Sequence, residues 1–263
     1  MELNKESKID ISVIIPAHNE EELLPLCLQS LKEQKFFANY EVIVVDNAST
    51  DETVEIAKKF KAKLLYEKKR GVGFARQKGF SRARGKIIAS TDADTVLPKD
   101  WLEKIYLTFR ENPEVIGVTG RVDFFGQHKK RLFLVNIFAP VFKFLSRIIS
   151  FKRYFVAGAN FAIKKDIFQK IGGFNTSLAI EEDTDLAIRA RKFGKFIFRK
   201  DLYVITSARR WQKNLSSWKG VKKIFNIHFL NFIWQIFFKK PKVNKFYNVR
   251  VNGNNYYFFR KKS

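Results

Sequence analysis

Two carboxylates stand one residue apart in Ser90-Thr91-Asp92-Ala93-Asp94-Thr95, directly after the run Lys86-Ile87-Ile88-Ala89. A strand that ends in Asp-x-Asp presents hard oxygen ligands where the chain leaves its sheet. In open α/β sheets that carboxyl edge is where ligands bind. Such oxygens suit Mg2+ or Mn2+, ions that take one or two protein carboxylates and complete their shell with substrate phosphates. The pattern points to a metal seated on a nucleotide diphosphate. Taken alone it equally describes an acidic turn after a strand, because so short a motif recurs by chance.

The surrounding chain alternates between two periodicities. Ile11-Ser12-Val13-Ile14-Ile15, stopped by Pro16, reads as a buried strand. Asn19 is expected to cap a helix opened by Glu20-Glu21-Glu22 and carrying Leu23, Leu24, Cys27, Leu28 and Leu31. Glu41 to Val45 is a second strand, Ser49, Thr50 or Asp51 caps the next helix, and Lys63 to Tyr66 is a third strand. Gly71-Val72-Gly73 opens a helix through Arg84, and Lys86 to Ser90 follows as a strand. Further on, the pattern gives a helix over Lys99 to Arg110 and extended chain over Val115 to Phe125 and Ala159 to Lys164. A short helix covers Asp166 to Ile171, a longer one Glu181 to Phe193, and two closing strands Lys195 to Arg199 and Leu202 to Thr206. This alternation argues for an α/β fold with a mostly parallel central sheet flanked by helices. The expected division is a domain over 1–210, with a nucleotide-binding half at about 8–120 and an acceptor half at about 121–210, and a basic, aromatic tail over 211–263.

Charge separates the tail from the rest. The formal net charge is +24. From Leu202 to Ser263 there are 14 Lys and Arg and no acid, and from Phe124 to Lys165 there are 9 and again no acid. Partners carrying negative charge are implied: phospholipid headgroups, nucleic acid or phosphorylated substrates. A lysine-rich compositional bias is the plainer alternative. Val221 to Phe238 is apolar around most of a helix, with lysine pairs at both ends, but its apolar part, Ile224 to Phe238, is too short to span a bilayer. It suits an amphipathic helix lying in a membrane interface with Trp234 at headgroup level, or a core or dimer-forming helix. Arg131 to Arg153 has the same character, with Pro140 expected to kink it. The chain shows no secretory signal and no membrane span, and its single Cys27 excludes an internal disulfide and fits a reducing compartment. Aromatic and basic residues interleave from Tyr247 to Lys262, as in single-strand binders, but no nucleic-acid motif accompanies them.

The ends of the first, second and fourth strands carry Pro16-Ala17-His18-Asn19-Glu20, Asp46-Asn47-Ala48-Ser49 and Asp92-Ala93-Asp94. In a doubly wound sheet these converge on one crevice. Gly71-Val72-Gly73-Phe74-Ala75-Arg76 adds bare backbone and a cation near the same edge, either to approach phosphate oxygens or simply to turn. With Gly158-Ala159-Asn160-Phe161, Gly172-Gly173-Phe174 and Glu181-Glu182-Asp183-Thr184-Asp185-Leu186, this ordered set resembles the family 2 glycosyltransferases of GT-A fold over roughly Ile11 to Trp211.

That resemblance implies inverting transfer of a sugar from a UDP- or GDP-sugar with help from Mn2+ or Mg2+. Carried over, Pro16, His18 and Glu20 line the nucleoside pocket and Asp46 accepts a hydrogen bond from the base. Arg76 sits near the diphosphate, Asp92 touches ribose or sugar hydroxyls, and Asp94 ligates the metal. Asp183 is the catalytic base, with Glu182 the runner-up. Outside that context Asp183 would be an acid favouring a helix dipole. Processive members of the family carry Gln-x-x-Arg-Trp late in the domain. Here the stretch is Ser207-Ala208-Arg209-Arg210-Trp211, which argues against processivity. Arg209 and Arg210 could clamp the diphosphate or an acidic acceptor, or form a basic surface turn. The resulting expectation is a peripheral enzyme on the inner face of the cell membrane, acting on a lipid-linked or glycan acceptor. Its alternative is a basic membrane- or nucleic-acid-binding protein on an inactive glycosyltransferase fold.

Overall fold

The computed structural model describes residues 9–125, 156–178 and 181–209, together with the backbone of two strands at 246–251 and 254–259. The chain begins β1 (Ile11–Ala17), α1 (Leu24–Lys32), β2 (Tyr40–Asp46), α2 (Thr53–Lys59), β3 (Lys63–Tyr66), α3 (Val72–Arg82) and β4 (Ile87–Ser90). It continues with β5 (Thr95–Val96), α4 (Trp101–Glu111), β6 (Val115–Phe125), β7 (Phe161–Lys164), α5 (Lys165–Lys170), α6 (Glu182–Ala190) and β8 (Lys195–Ser207). The last two strands, β9 (Phe246–Val251) and β10 (Asn254–Phe259), pair antiparallel with each other in a separate two-stranded sheet.

The main sheet has eight strands in the order β3-β2-β1-β4-β7-β6-β8-β5. β3, β2, β1 and β4 run parallel, β7 lies antiparallel to both β4 and β6, and β6 pairs parallel with β8. Alternation along β1 divides the core. Ile11, Val13 and Ile15 face one way and pack with Leu24, Leu28 and Leu31 of α1 and with Trp101, Leu102 and Ile105 of α4. Ile14 faces the other way, with Ile43 and Val45 of β2, Ala75 and Phe80 of α3, Phe161 and Ile163 of β7, and Leu186 of α6. Period-two strands between helices on both faces are the physical reason these runs form a layered α/β sheet.

Two local expectations are corrected. Asn19 does not cap a helix. It takes a left-handed conformation (φ 54°), its side-chain oxygen accepts the Thr50 amide at 2.8 Å, and α1 begins only at Leu24, where Pro25 stands in the first turn. Proline is pre-set for that position and breaks anything longer upstream. Glu20, Glu21 and Glu22 therefore form a turn, and Glu20 is buried in the crevice instead of lying at a helix end. Second, the two closing strands are one, β8. Its ladder with β6 slips where Gly120 pairs Arg199 but Arg121 pairs Tyr203, so a bulge occupies what reads as a gap in the sequence. At the start of α2 the Thr53 amide donates to Asp51 Oδ1 at 3.1 Å, so Asp51 serves the helix end as expected. The segments 131–153 and 221–238, read as apolar helices, lie outside the described residues.

Candidate active site

Strand register brings the acidic turns to one edge. Ala17 at the end of β1 pairs with Asp46 at the end of β2, and Ile14 pairs with Ser90 at the end of β4. His18 to Glu20, Asp46 to Thr50 and Asp92 to Asp94 therefore leave the sheet side by side. Hydrogen bonds tie the first two loops together: the Ser49 amide donates to Asp46 Oδ1 at 3.2 Å, and the Asn19 amide donates to Ser49 Oγ at 3.1 Å. Asn47 holds the loop between β3 and α3, its amide nitrogen donating to the carbonyls of Glu67 and Lys69 and its oxygen accepting from Gly71 N, all at 2.8 Å. Gly71 itself has φ 134°, backbone that a side chain would strain. Pro16 is still within β1, paired with Val45. The ring of His18 lies 3.3 Å from Arg70, and burial first, then that guanidinium, lowers its pKa.

The Asp-x-Asp turn is held from two sides. The Thr95 amide donates to the Asp92 carbonyl at 3.2 Å, closing a tight turn. Asp92 accepts from Arg76 Nη2 at 2.7 Å, and the other terminal nitrogen of Arg76 donates to Glu182, 106 residues further along the chain. Asp94 faces the other way. Thr206 Oγ1 donates to its Oδ1 at 3.1 Å, the Ser207 amide donates to its carbonyl at 3.0 Å, and Arg209 Nε lies 3.6 Å from its Oδ2. Arg209 Nη2 also donates to Glu20. Each acid of the pair thus has its own arginine, and each arginine reaches a second acid.

Burial makes these contacts consequential. Arg76 is 4 % exposed and Glu182 3 % exposed. Burial alone would lower the arginine pKa, but the carboxylates of Asp92, Glu182 and Asp183 more than offset it and hold the guanidinium firmly charged. A glycine admits it. A methyl at Gly158 would fall 2.2 Å from Arg76 Nη2. Asp183, beside Glu182 on the first turn of α6, is 8 % exposed and accepts the Thr184 amide at 2.7 Å. Burial, and then the adjacent Glu182 charge, push its pKa up to about 8, against the pull of Arg76 and that amide. A carboxyl group tuned towards neutrality in a cleft is poised for proton transfer.

Arg76 gathers Asp92 and Glu182, with Asp183 next to Glu182 in the chain, and Arg209 gathers Asp94 and Glu20; the Asp92-Ala93-Asp94 turn links the two groups, and Asp46 borders them through the loop hydrogen bonds. Arg76 is enclosed between two carboxylates of the protein. Arg210 lies outside the described residues; its neighbour Arg209 is seated on Glu20 and Asp94. Thr206 carries no sequence signal for its role, and Asn160 stands in the Gly158-Ala159-Asn160-Phe161 stretch with no role read from it. Asn160 is fully buried and bonds Trp101 Nε1 at 2.9 Å and the carbonyls of Arg121 and Leu202, pinning β6 and β8 beneath the crevice.

For a divalent ion, the donor set offers Asp94, a hard carboxylate whose Oδ2 already faces a cation. Among the described residues no three His, Cys, Asp or Glu side chains gather as a metal centre. The residues fit an ion that draws one protein ligand from Asp94 and the rest from phosphates and water.

An α/β sheet with an acid-lined crevice at the carboxyl ends of its parallel strands defines a ligand-binding, nucleotide-type architecture. The family model for glycosyl transferase family 2 matches residues 12–172, and the chain belongs to that family. Over 223 residues it is 28 % identical to the probable glycosyltransferase YdaM of Bacillus subtilis (strain 168), covering 80 % of this chain and 52 % of that protein. Over 101 residues it is 38 % identical to the glycosyltransferase AglE of Haloferax volcanii, covering 36 % of this chain and 33 % of that one. The chain thus matches about half or less of the length of these curated relatives. Among solved structures it is similar to S. aureus TarS 1-349 in complex with UDP-GlcNAc, with TM-score 0.63, 20 % identity and coverage of 86 % of this chain and 73 % of that one. It is also similar to the mannosyltransferase PcManGT from Pyrobaculum calidifontis in complex with GDP-Man and Mn2+, with TM-score 0.58, 24 % identity and coverage of 77 % and 60 %. These likenesses establish the GT-A fold.

Proposed function

We propose that the protein is a glycosyltransferase that moves a sugar from a nucleoside diphosphate sugar to an acceptor in one inverting displacement. The observation that carries this reading is the Arg76 bridge, which fastens the Asp-x-Asp turn to the helix bearing Asp183. Transfer needs a site for the departing diphosphate and a proton acceptor near the incoming hydroxyl, and these two elements supply them. Asp183 takes the proton from the attacking hydroxyl as the bond to the anomeric carbon forms and the bond to the diphosphate breaks. Asp92 orients sugar or ribose hydroxyls, while Asp46, His18, Glu20 and Pro16 border the nucleoside. Asp94 holds a divalent ion, Mn2+ or Mg2+, which when bound supplies Lewis-acid stabilisation of the charge growing on the leaving group. The two solved neighbours hold a UDP-sugar and a GDP-sugar respectively, so either nucleoside is a candidate donor.

The basic stretches that follow Phe124 and Leu202 favour an anionic acceptor environment: a lipid-linked sugar or glycan reached from the inner face of a membrane, in assembly of an envelope polysaccharide. No helix among the described residues is long and apolar enough to cross a membrane. In this reading residues 1–210 do the chemistry and 211–263 meet the surface.

Thermal denaturation of the full chain against a panel of nucleoside diphosphates, with and without Mn2+, tests the donor site. A ligand at a hundred times its Kd adds about 2.7 kcal/mol to stability. The expected result is stabilisation by UDP or GDP that requires Mn2+, followed by turnover of the matching sugar donor. Absence of both would defeat the proposal. Sedimentation with anionic, but not neutral, vesicles tests the surface assignment separately.

A further inference from the structure

Arg209 stands where an incoming divalent ion would compete with it. Its Nε is 3.6 Å from Asp94 Oδ2 and its Nη2 donates to Glu20. Both acids are almost fully buried, whereas the arginine side chain is 33 % exposed. The backbone around it is anchored independently: Ser207 N donates to the Asp94 carbonyl at 3.0 Å and Ala208 N to the Phe125 carbonyl at 3.1 Å. The side chain can therefore leave Asp94 without the strand end moving. A divalent ion on Asp94 repels a guanidinium at this distance, and the diphosphate it accompanies offers that guanidinium a better, bidentate partner.

We propose that Arg209 is the resident cation of the Asp94 site, exchanged for a divalent ion when donor binds and then handed to the diphosphate. This rests on the glycosyltransferase reading above and adds an order of events to it. While the crevice is empty, Arg209 balances Asp94 and Glu20. A metal ion arriving without nucleotide has to displace it and gains nothing to receive it, so bare metal binds weakly. Metal and diphosphate arriving together satisfy all partners at once. Arg209 thereby couples the two ligands and keeps the site from filling with metal alone.

Mn2+ binding to the full chain, followed by the EPR signal of free Mn2+, tests this for the wild type, Arg209→Ala and Arg209→Lys. Without nucleotide, Arg209→Ala is expected to bind Mn2+ about tenfold more tightly than the wild type, with Arg209→Lys close to the wild type. With Mn2+ present, affinity for UDP or GDP is expected to fall about tenfold in Arg209→Ala. That crossing of effects is not produced by an arginine that merely supports the fold. Mn2+ affinity in Arg209→Ala that is equal to, weaker than, or as undetectable as that of the wild type overturns the proposal. If the wild type binds neither UDP nor GDP, the functional reading fails instead, and the Mn2+ comparison still reports on Arg209.

Discussion

Arg76 Nη2 and the Asp92 carboxylate meet at 2.7 Å, and the same guanidinium closes on Glu182 at its other end. Removing a cation from between two buried carboxylates leaves charge with no compensation, which costs about 3–5 kcal/mol. Arg76→Met should therefore lower the urea midpoint sharply. Arg76→Lys, with charge but no fork to span two acids, should recover only part of the loss. Equal stability of all three proteins would mean that the bridge is not formed.

Asp183 gives a prediction in pH. Its carboxyl is raised from the ordinary 3.8 to about 8 by burial and by Glu182. The folded state holds its proton more tightly than the unfolded chain, so this group's contribution to stability is intact below about pH 4 and drains away as pH climbs through about 8. Asp183→Asn removes that loss. The variant should match the wild type near pH 4 and exceed it by about 1–3 kcal/mol near pH 8, read as melting temperature across the range.

The same variant should lose transfer to a hydroxyl acceptor by about a hundredfold or more while keeping nucleotide-induced stabilisation. In the wild type, kcat/KM should rise with pH along a limb displaced well above the usual carboxylate range, because the free enzyme must shed this proton before it can act as a base. A pH profile flat from 5 to 8, or unimpaired transfer by Asp183→Asn, would assign the proton to another group.

At Asp94 the expected phenotype is loss of ligand response and not loss of fold. Asp94→Asn keeps an oxygen for Thr206 and leaves Arg209 its bond to Glu20. The protein should melt near the wild-type temperature yet show no Mn2+-dependent gain with UDP or GDP. Chelation of the wild type with EDTA should give the same curve.

Gly158 tests how tightly Arg76 is enclosed. A methyl 2.2 Å from Nη2 must push the guanidinium off its carboxylates, because the pocket is closed around it. Gly158→Ala should reduce transfer about tenfold with a melting temperature lowered by several degrees, an overpacking cost of about 1–3 kcal/mol. Wild-type activity would show that the guanidinium has room to move.

Much of this site could be read from residue order alone. Short apolar runs ending at Pro16, Asp46 and Asp92 mark buried parallel strands, and the topology of such sheets puts their ends together. What escaped depends on contacts remote in sequence. The Gly-rich stretch places a cation near phosphate-binding backbone, but nothing local says that Arg76 is claimed by Glu182 across 106 positions. Arg209 and Arg210 are indistinguishable as letters. That Arg209 reaches Asp94 and Glu20 is set by how the chain leaves β8, where the Ser207 and Ala208 amides bond the carbonyls of Asp94 and Phe125. Asn19 looks like a helix cap because its chemistry suits one, yet Pro25 sets the helix start and the amide is recruited by the neighbouring loop.

β7 is only four residues long, yet it is the seam through which the parallel strands β3, β2, β1 and β4 are stitched to β6, β8 and β5. At its middle, Ala162 pairs with Ala89 on one side and Val118 on the other, with no exposed surface. The half that carries Asp92 and the half that carries Thr206 and Arg209 therefore keep their alignment through a joint made narrow by small side chains. A bulkier residue at Ala162 would misalign the two banks of the crevice while leaving every acid and arginine in the sequence untouched.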